Sequence, residues 1–235
     1  MVKQSFRYLY KMNLLLLAIA PITIVILYIY FKDKYEKEPI KILALSFLLG
    51  ATISLLITLI LGSIASILIP VTDAKSIFQQ FLKAFIAVAL VEEFSKYIIV
   101  KFYAQENKEF NEPFDGIVYA VMVSMGFAAV ENILYTYQYG FEVGFVRAFT
   151  AVPAHATFGI IMGYFMGKAK FSKNRVQLNL LGLLLATLFH GSYDFFLFIN
   201  FIPGISIGAF VSLIIGIFLS RKAIKRHQNS SNFKV

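Results

Sequence analysis

Residues 42–69, ILALSFLLGATISLLITLILGSIASILI, contain no charged side chain. As a helix rising 1.5 Å per residue, such a run crosses a hydrocarbon core roughly 30 Å thick. Further apolar runs flank it: Leu14–Phe31, Phe81–Phe102, Gly116–Tyr137, Phe145–Met166, Leu178–Phe198 and Ile202–Ser220. The alternation of a barrel strand is missing, so helices are the structure that satisfies backbone polar groups in lipid. The sequence predicts an all-α fold, a polytopic transmembrane helix bundle of about seven spans. Short connections make sequence neighbours antiparallel neighbours. No polar stretch is long enough to fold alone, so residues 1–235 form a single membrane domain.

Composition agrees: 59% of residues are hydrophobic and 15% charged, with mean hydropathy +0.74. The net charge of +9 does not point to nucleic acid, because the basic residues lie between the runs and in the tail. The densest groups are Lys168, Lys170, Lys173 and Arg175, and Arg221, Lys222, Lys225, Arg226 and Lys234. The positive-inside rule places both in the cytoplasm, with residues 221–235 as a basic cytoplasmic tail. Seven spans then put the N-terminus outside, against the bias of Lys3, Arg7 and Lys11. That start imitates a signal peptide, but Pro21 follows the would-be cleavage site, so it is read as a retained helix. His227 is expected to be solvated in the tail, Arg147 to snorkel to an interface, and Asn229–Val235 to be disordered. Tyr135, Tyr137 and Tyr139 form an interfacial belt. The stripe Gly159, Gly163 and Gly167 suits close helix packing. With no cysteine, disulfides and thiolate chemistry are excluded.

Against this background several side chains are out of place. The third run holds Glu92, Glu93 and Lys96, the fourth Glu131 and Asn132, the fifth His155, and the sixth His190 and Asp194. An ionised group at the bilayer centre costs roughly 2.5–3.5 kcal/mol on insertion scales. For the four carboxylates and the lysine together this comes to roughly 12–18 kcal/mol, rivalling a whole domain's stability. They must face one another or a water-filled cavity. Glu92 and Lys96 are i,i+4 on one helix face, as are His190 and Asp194. Asp194 can then fix the His190 tautomer and leave the other nitrogen for chemistry.

No H-E-x-x-H, Gly-x-Ser-Gly, Gly-x-Gly-Asp or P-loop is present. Carboxylates and histidines remain, the ingredients for activating water. A divalent metal such as zinc, held by Glu131, His155 and His190, is the alternative route to the same nucleophile. A proton- or ion-coupled transporter also uses such residues, but no inverted repeat is visible. A non-catalytic scaffold is the third reading.

Glu92-Glu93-x-x-Lys96, Phe127-x-x-x-Glu131 and His190-x-x-x-Asp194 resemble, in order and spacing, the three motifs of the PrsW-type intramembrane proteases. The resemblance covers roughly Phe81 to Phe196, the motif-bearing core (about 81–198), and extends to the CAAX prenyl endopeptidases and the scaffold Aph-1. It implies an endopeptidase whose catalytic residues are Glu92, Glu93, Glu131, His190 and Asp194; the cost of burying polar groups in apolar runs adds Lys96, Asn132 and His155 as supporting residues. It also implies a membrane-anchored protein substrate: an anti-sigma factor, cut first at its outer side in envelope-stress signalling. CAAX relatives have histidine where this chain has Glu131, so metal and glutamate–histidine mechanisms both stay open.

Overall fold

The computed structural model describes residues 2–231 and 233–234, with side chains from residue 9 onward. Lys3 and Arg7 of the basic N-terminus, and the two tail positions 232 and 235, lie outside the described side chains. The described residues form helices with no strand: α1 (Val2–Lys32), α2 (Ile40–Leu68), α3 (77–104), α4 (Pro113–Tyr139), α5 (Phe141–Lys170), α6 (Arg175–Phe198) and α7 (Ile207–Asn229). By length and composition six of these can cross a membrane. The seventh, α3, carries Glu92, Glu93 and Lys96 and is divided into alternating α and π stretches.

Burial is inside out relative to a water-soluble protein. Ile67, Phe218 and Ile40 are 78%, 68% and 74% exposed, whereas Glu93 and Lys96 are 0% and 1% exposed. A bundle surrounded by lipid gains nothing by hiding aliphatic side chains and much by hiding charges. α4 is the central helix, buried all round from Phe114 to Ala129. Its start is fixed by Pro113 in the first turn and by a capping box, in which Asp115 accepts from the Glu112 amide at 2.8 Å. The small-residue stripe packs α5 against this helix: a Cβ on Gly163 would lie 2.3 Å from the Gly116 carbonyl oxygen. Only glycine permits that approach.

Several boundaries differ from the sequence reading. α5 is interrupted at Thr150 (φ −124°, ψ −72°). Pro153 lies three residues on, and its ring excludes the carbonyl of Phe149 from a regular turn. α7 begins at Ile207, because Pro203 and Gly204, the latter at φ +76°, turn the chain first. It then runs through the basic residues to Asn229, so Arg221–Asn229 is helix. His227 is not solvated: it is 2% exposed and stacks on Tyr164 with ring centroids 4.3 Å apart. The helix carries it back over α5.

In the α1–α2 turn, Asp33 is 1% exposed with no hydrogen-bond partner for either carboxylate oxygen among the described residues. Burial raises its pKa to about 6, only partly offset by the Lys37 ammonium. A raised folded value means that the native state holds the proton more tightly. The associated stability is present below the ordinary carboxylate range and is lost as pH rises through about 6. Asp33→Asn is therefore expected to raise the thermal unfolding temperature in detergent at pH 7.5, with the gain vanishing near pH 4. An equal gain at both values would contradict the titration of Asp33.

Candidate active site

The first motif occupies a regular α stretch, Val91–Ile99, set between the π segments Lys83–Leu90 and Val100–Ala104. π turns inside helices recur at functional sites. Within this α stretch Glu92 and Glu93 stand four and three residues before Lys96, so one ammonium reaches both. Lys96 Nζ is 3.3 Å from Glu92 Oε2 and 2.7 Å from Glu93 Oε1. The shorter contact goes to Glu93, not to the expected i,i+4 partner. Phe127 of the second motif places its ring face 4.3 Å from the same ammonium.

His155 closes the other side, its Nδ1 3.3 Å from Lys96 Nζ. An ammonium can only donate, so Nδ1 accepts and the ring proton sits on Nε2. That nitrogen donates to Glu131 Oε2 at 2.8 Å. The break at Thr150 lets α5 present a second partner to the same carboxylate: Arg147 Nη2 lies 3.0 Å from Glu131 Oε2. Arg147 also donates from Nε to Asn132 Oδ1 at 2.9 Å and covers the Tyr135 ring at 4.1 Å. Asn132 in turn donates to the Ala18 carbonyl of α1 at 2.9 Å. Arg147 thus belongs to the site and does not snorkel. Its charge was visible in the sequence, but its partner is contributed by α4.

His190 stands between two carboxylates. Its Nδ1 is 2.9 Å from Glu93 Oε1 and its Nε2 3.3 Å from Asp194 Oδ2. The i,i+4 contact expected between His190 and Asp194 is present, but the other ring nitrogen is taken by the buried Glu93 and is not left free for chemistry. Phe158 stacks on the imidazole with centroids 4.7 Å apart and planes at 15°, fixing the ring. The contacts run unbroken from Arg147 through Glu131, His155, Lys96, Glu93 and His190 to Asp194. Glu93 Oε2, fully buried, has no partner among the described residues.

A cavity of about 490 Å³ opens beside this chain. Glu92, Glu131, Arg147, His155, His190 and Asp194 line it. Glu93 and Lys96 do not; they lie behind the wall. The adjacent glutamates therefore differ in surroundings: the Glu92 side chain is 12% exposed toward the cavity and that of Glu93 0%. Sequence reasoning could not separate them.

Glu92, Glu93 and His155 offer ligand atoms within 4.8 Å of one another, a group that could hold a metal ion. Of the three ligands expected from sequence, His155 alone belongs to that set. Two carboxylates and an imidazole suit zinc in kind. The position they surround, however, is approached by Lys96 Nζ, which contacts all three. An ammonium and a dication cannot share it, so a metal fits only where Lys96 withdraws.

A bundle of membrane-length helices that buries such a constellation against a cavity has the groups with which an intramembrane hydrolase would activate water. Residues 38–220 match the family model described as PrsW family intramembrane metalloprotease. Proteins named protease PrsW are similar over most of their length. That of Oceanobacillus iheyensis is 44% identical over 187 residues, covering 79% of this chain and 83% of the relative. Those of Geobacillus kaustophilus and Bacillus subtilis are 39% and 38% identical, covering 79% and 76% of this chain and 80% of each relative. No solved structure matches. The chain belongs to the PrsW family of intramembrane proteases; it is a multi-pass membrane peptidase. The transporter and scaffold readings fall away with that membership.

Proposed function

We propose that this peptidase makes the first, site-1 cut in a membrane-anchored anti-sigma factor, at the outer side of the membrane, with its own C-terminus in the cytoplasm. The observation that carries the reading is the position of Glu92. It is the carboxylate of the pair that faces the cavity, while Glu93 and Lys96 lie behind the wall and His190 joins them to the cavity lining. The basic residues of the α5–α6 connection and of α7 favour a cytoplasmic location for that end of the bundle. His190 and Asp194, near the other end of α6, then lie in the outer half.

In this mechanism Glu92 accepts a proton from water, and the water oxygen bonds to the scissile carbonyl carbon. The C–N bond then breaks, and the amine leaves with the proton that Glu92 held. Arg147 lines the cavity with N–H donors beyond those used on Glu131 and Asn132, and these stabilise the oxyanion. Glu131 and His155 orient Arg147 and Lys96. Asp194 and His190 fix Glu93, and through Lys96 they fix the direction of Glu92. A second reading rests on the Glu92–Glu93–His155 group: bound there in place of the ammonium, a divalent ion such as zinc would polarise the carbonyl and acidify water.

The test is reconstitution of the purified chain in liposomes with a panel of single-spanning anti-sigma factors, the products mapped by mass spectrometry. One cut near the outer membrane edge is expected, and its loss in Glu92→Ala. Failure to cut any member, or an undiminished cut by Glu92→Ala, refutes the proposal.

A further inference from the structure

We infer that the groove between the second half of α2 and the start of α3 is the docking site for the substrate's transmembrane helix, and that it delivers the scissile segment laterally to Glu92. The inference rests on the proteolytic reading of the site and goes on to name the path and the wall that the substrate uses.

The two halves of α2 are built differently. Before and within its π segment, Gly50–Ser54, the helix buries Leu43, Ser46, Gly50 and Ser54. Beyond it, Leu55–Leu68 buries no residue at all. This outer half is fastened to α3 near its base, where Ser54 and Thr58 hydroxyls meet Ser95 Oγ at 2.7 and 2.8 Å. Ser95 donates onward to the Glu92 carbonyl at 2.7 Å. Past that clasp the helices part around a groove of about 420 Å³. Thr58, Gly62 and Ser66, spaced four residues apart, form one wall; Lys83, Val88 and Glu92 are on the other.

Two independent features identify the occupant. First, Lys83, Val88 and Glu92 line both this groove and the catalytic cavity, so the two spaces share a wall and the proposed base belongs to it. Second, the α2 wall is made of small side chains with no unmet polar demand. Among the described residues nothing lies within 4 Å of a Cβ built on Gly62. The Ser66 hydroxyl donates to the Gly62 carbonyl of its own helix, and Ser63 to that of Leu59. A small, self-satisfied face is what lets another helix approach closely in lipid. An acyl chain would gain no such fit and would run onto a carboxylate at the groove's end. A substrate helix instead ends there in residues that must unwind, because helical amides are hydrogen-bonded and shielded from a water nucleophile.

The chain has no cysteine, so a single cysteine at Gly62, Ser66 or, as control, Ile64 on the opposite face of α2 can carry a photoactivatable benzophenone. The partner is the anti-sigma factor cut in the reconstitution above. Crosslinks to that protein from positions 62 and 66, and none from 64, are expected. Gly62→Phe is expected to slow cleavage of the membrane-spanning substrate about tenfold or more through KM. Hydrolysis of a short detergent-soluble peptide with the same scissile bond is expected to be unchanged. Adducts with phospholipid alone, or equal turnover of both substrates by Gly62→Phe and the unaltered enzyme, overturn the groove and leave the protease reading standing. No cleavage by the unaltered enzyme overturns that reading and the groove with it.

Discussion

Glu92→Gln is expected to lower turnover by about 10²–10⁴, the usual worth of a general base, while thermal unfolding in detergent stays nearly unchanged. Glu93→Gln is expected to lose activity and fold stability together. The contrast follows from two adjacent residues with opposite surroundings. Glu92 faces the cavity, and its contact with Lys96 is the longer one, at 3.3 Å. Glu93 is enclosed, and its Oε1 receives Lys96 at 2.7 Å and His190 at 2.9 Å. Neutralising Glu93 leaves an ammonium buried without its nearest counter-charge. Removing one partner of a buried pair typically costs about 3–5 kcal/mol. The amide nitrogen would also occupy a position with no acceptor among the described residues, since Glu93 Oε2 has no partner there. Measuring kcat and the unfolding midpoint for both variants separates the roles. Comparable stability losses, or near-normal turnover by Glu92→Gln, would remove the distinction between base and brace.

The three motifs were legible because charge inside an apolar run is conspicuous, and burial cost alone forces such groups together. Helical periodicity supplied the Glu92–Lys96 and His190–Asp194 contacts, which depend on positions within one helix. What escaped depends on contacts between helices or on departures from regular geometry. That Glu93 rather than Glu92 is the closer partner of Lys96 reflects side-chain paths in a stretch bounded by π turns. Arg147 looked interfacial because the break at Thr150, and the Glu131 carboxylate beyond it, come from packing α5 against α4. His227 looked solvated because its neighbours are basic, yet α7 continues and lays it on Tyr164. Helix number and order are set by hydropathy. The ligand group Glu92–Glu93–His155 is set by how α3 and α5 meet, which no spacing rule reveals.

Lys96→Met tests what occupies the cation position. Lys96 Nζ is in contact with Glu92, Glu93 and His155, the residues able to hold a metal. If the ammonium is the working cation, the unaltered protein should bind no stoichiometric zinc or cobalt(II). Its cleavage should then survive exhaustive chelation. Methionine removes the charge at similar length, leaving two buried carboxylates without their cation. Turnover is expected to fall by about 10²–10³, because the general base Glu92 loses the cation that fixes its direction. The unfolding temperature should fall as well. The freed set should now take up a divalent ion, and zinc should raise the unfolding temperature of Lys96→Met with concentration, as any ligand specific to the native state does. The unaltered protein should show no such response. Cobalt(II) absorption gives a readout independent of turnover: intense tetrahedral bands are expected from Lys96→Met alone. Bands of that kind in the unaltered protein, together with cleavage abolished by chelation and restored by zinc, would sink the ammonium mechanism. Lys96 would then have to leave the site before the enzyme works.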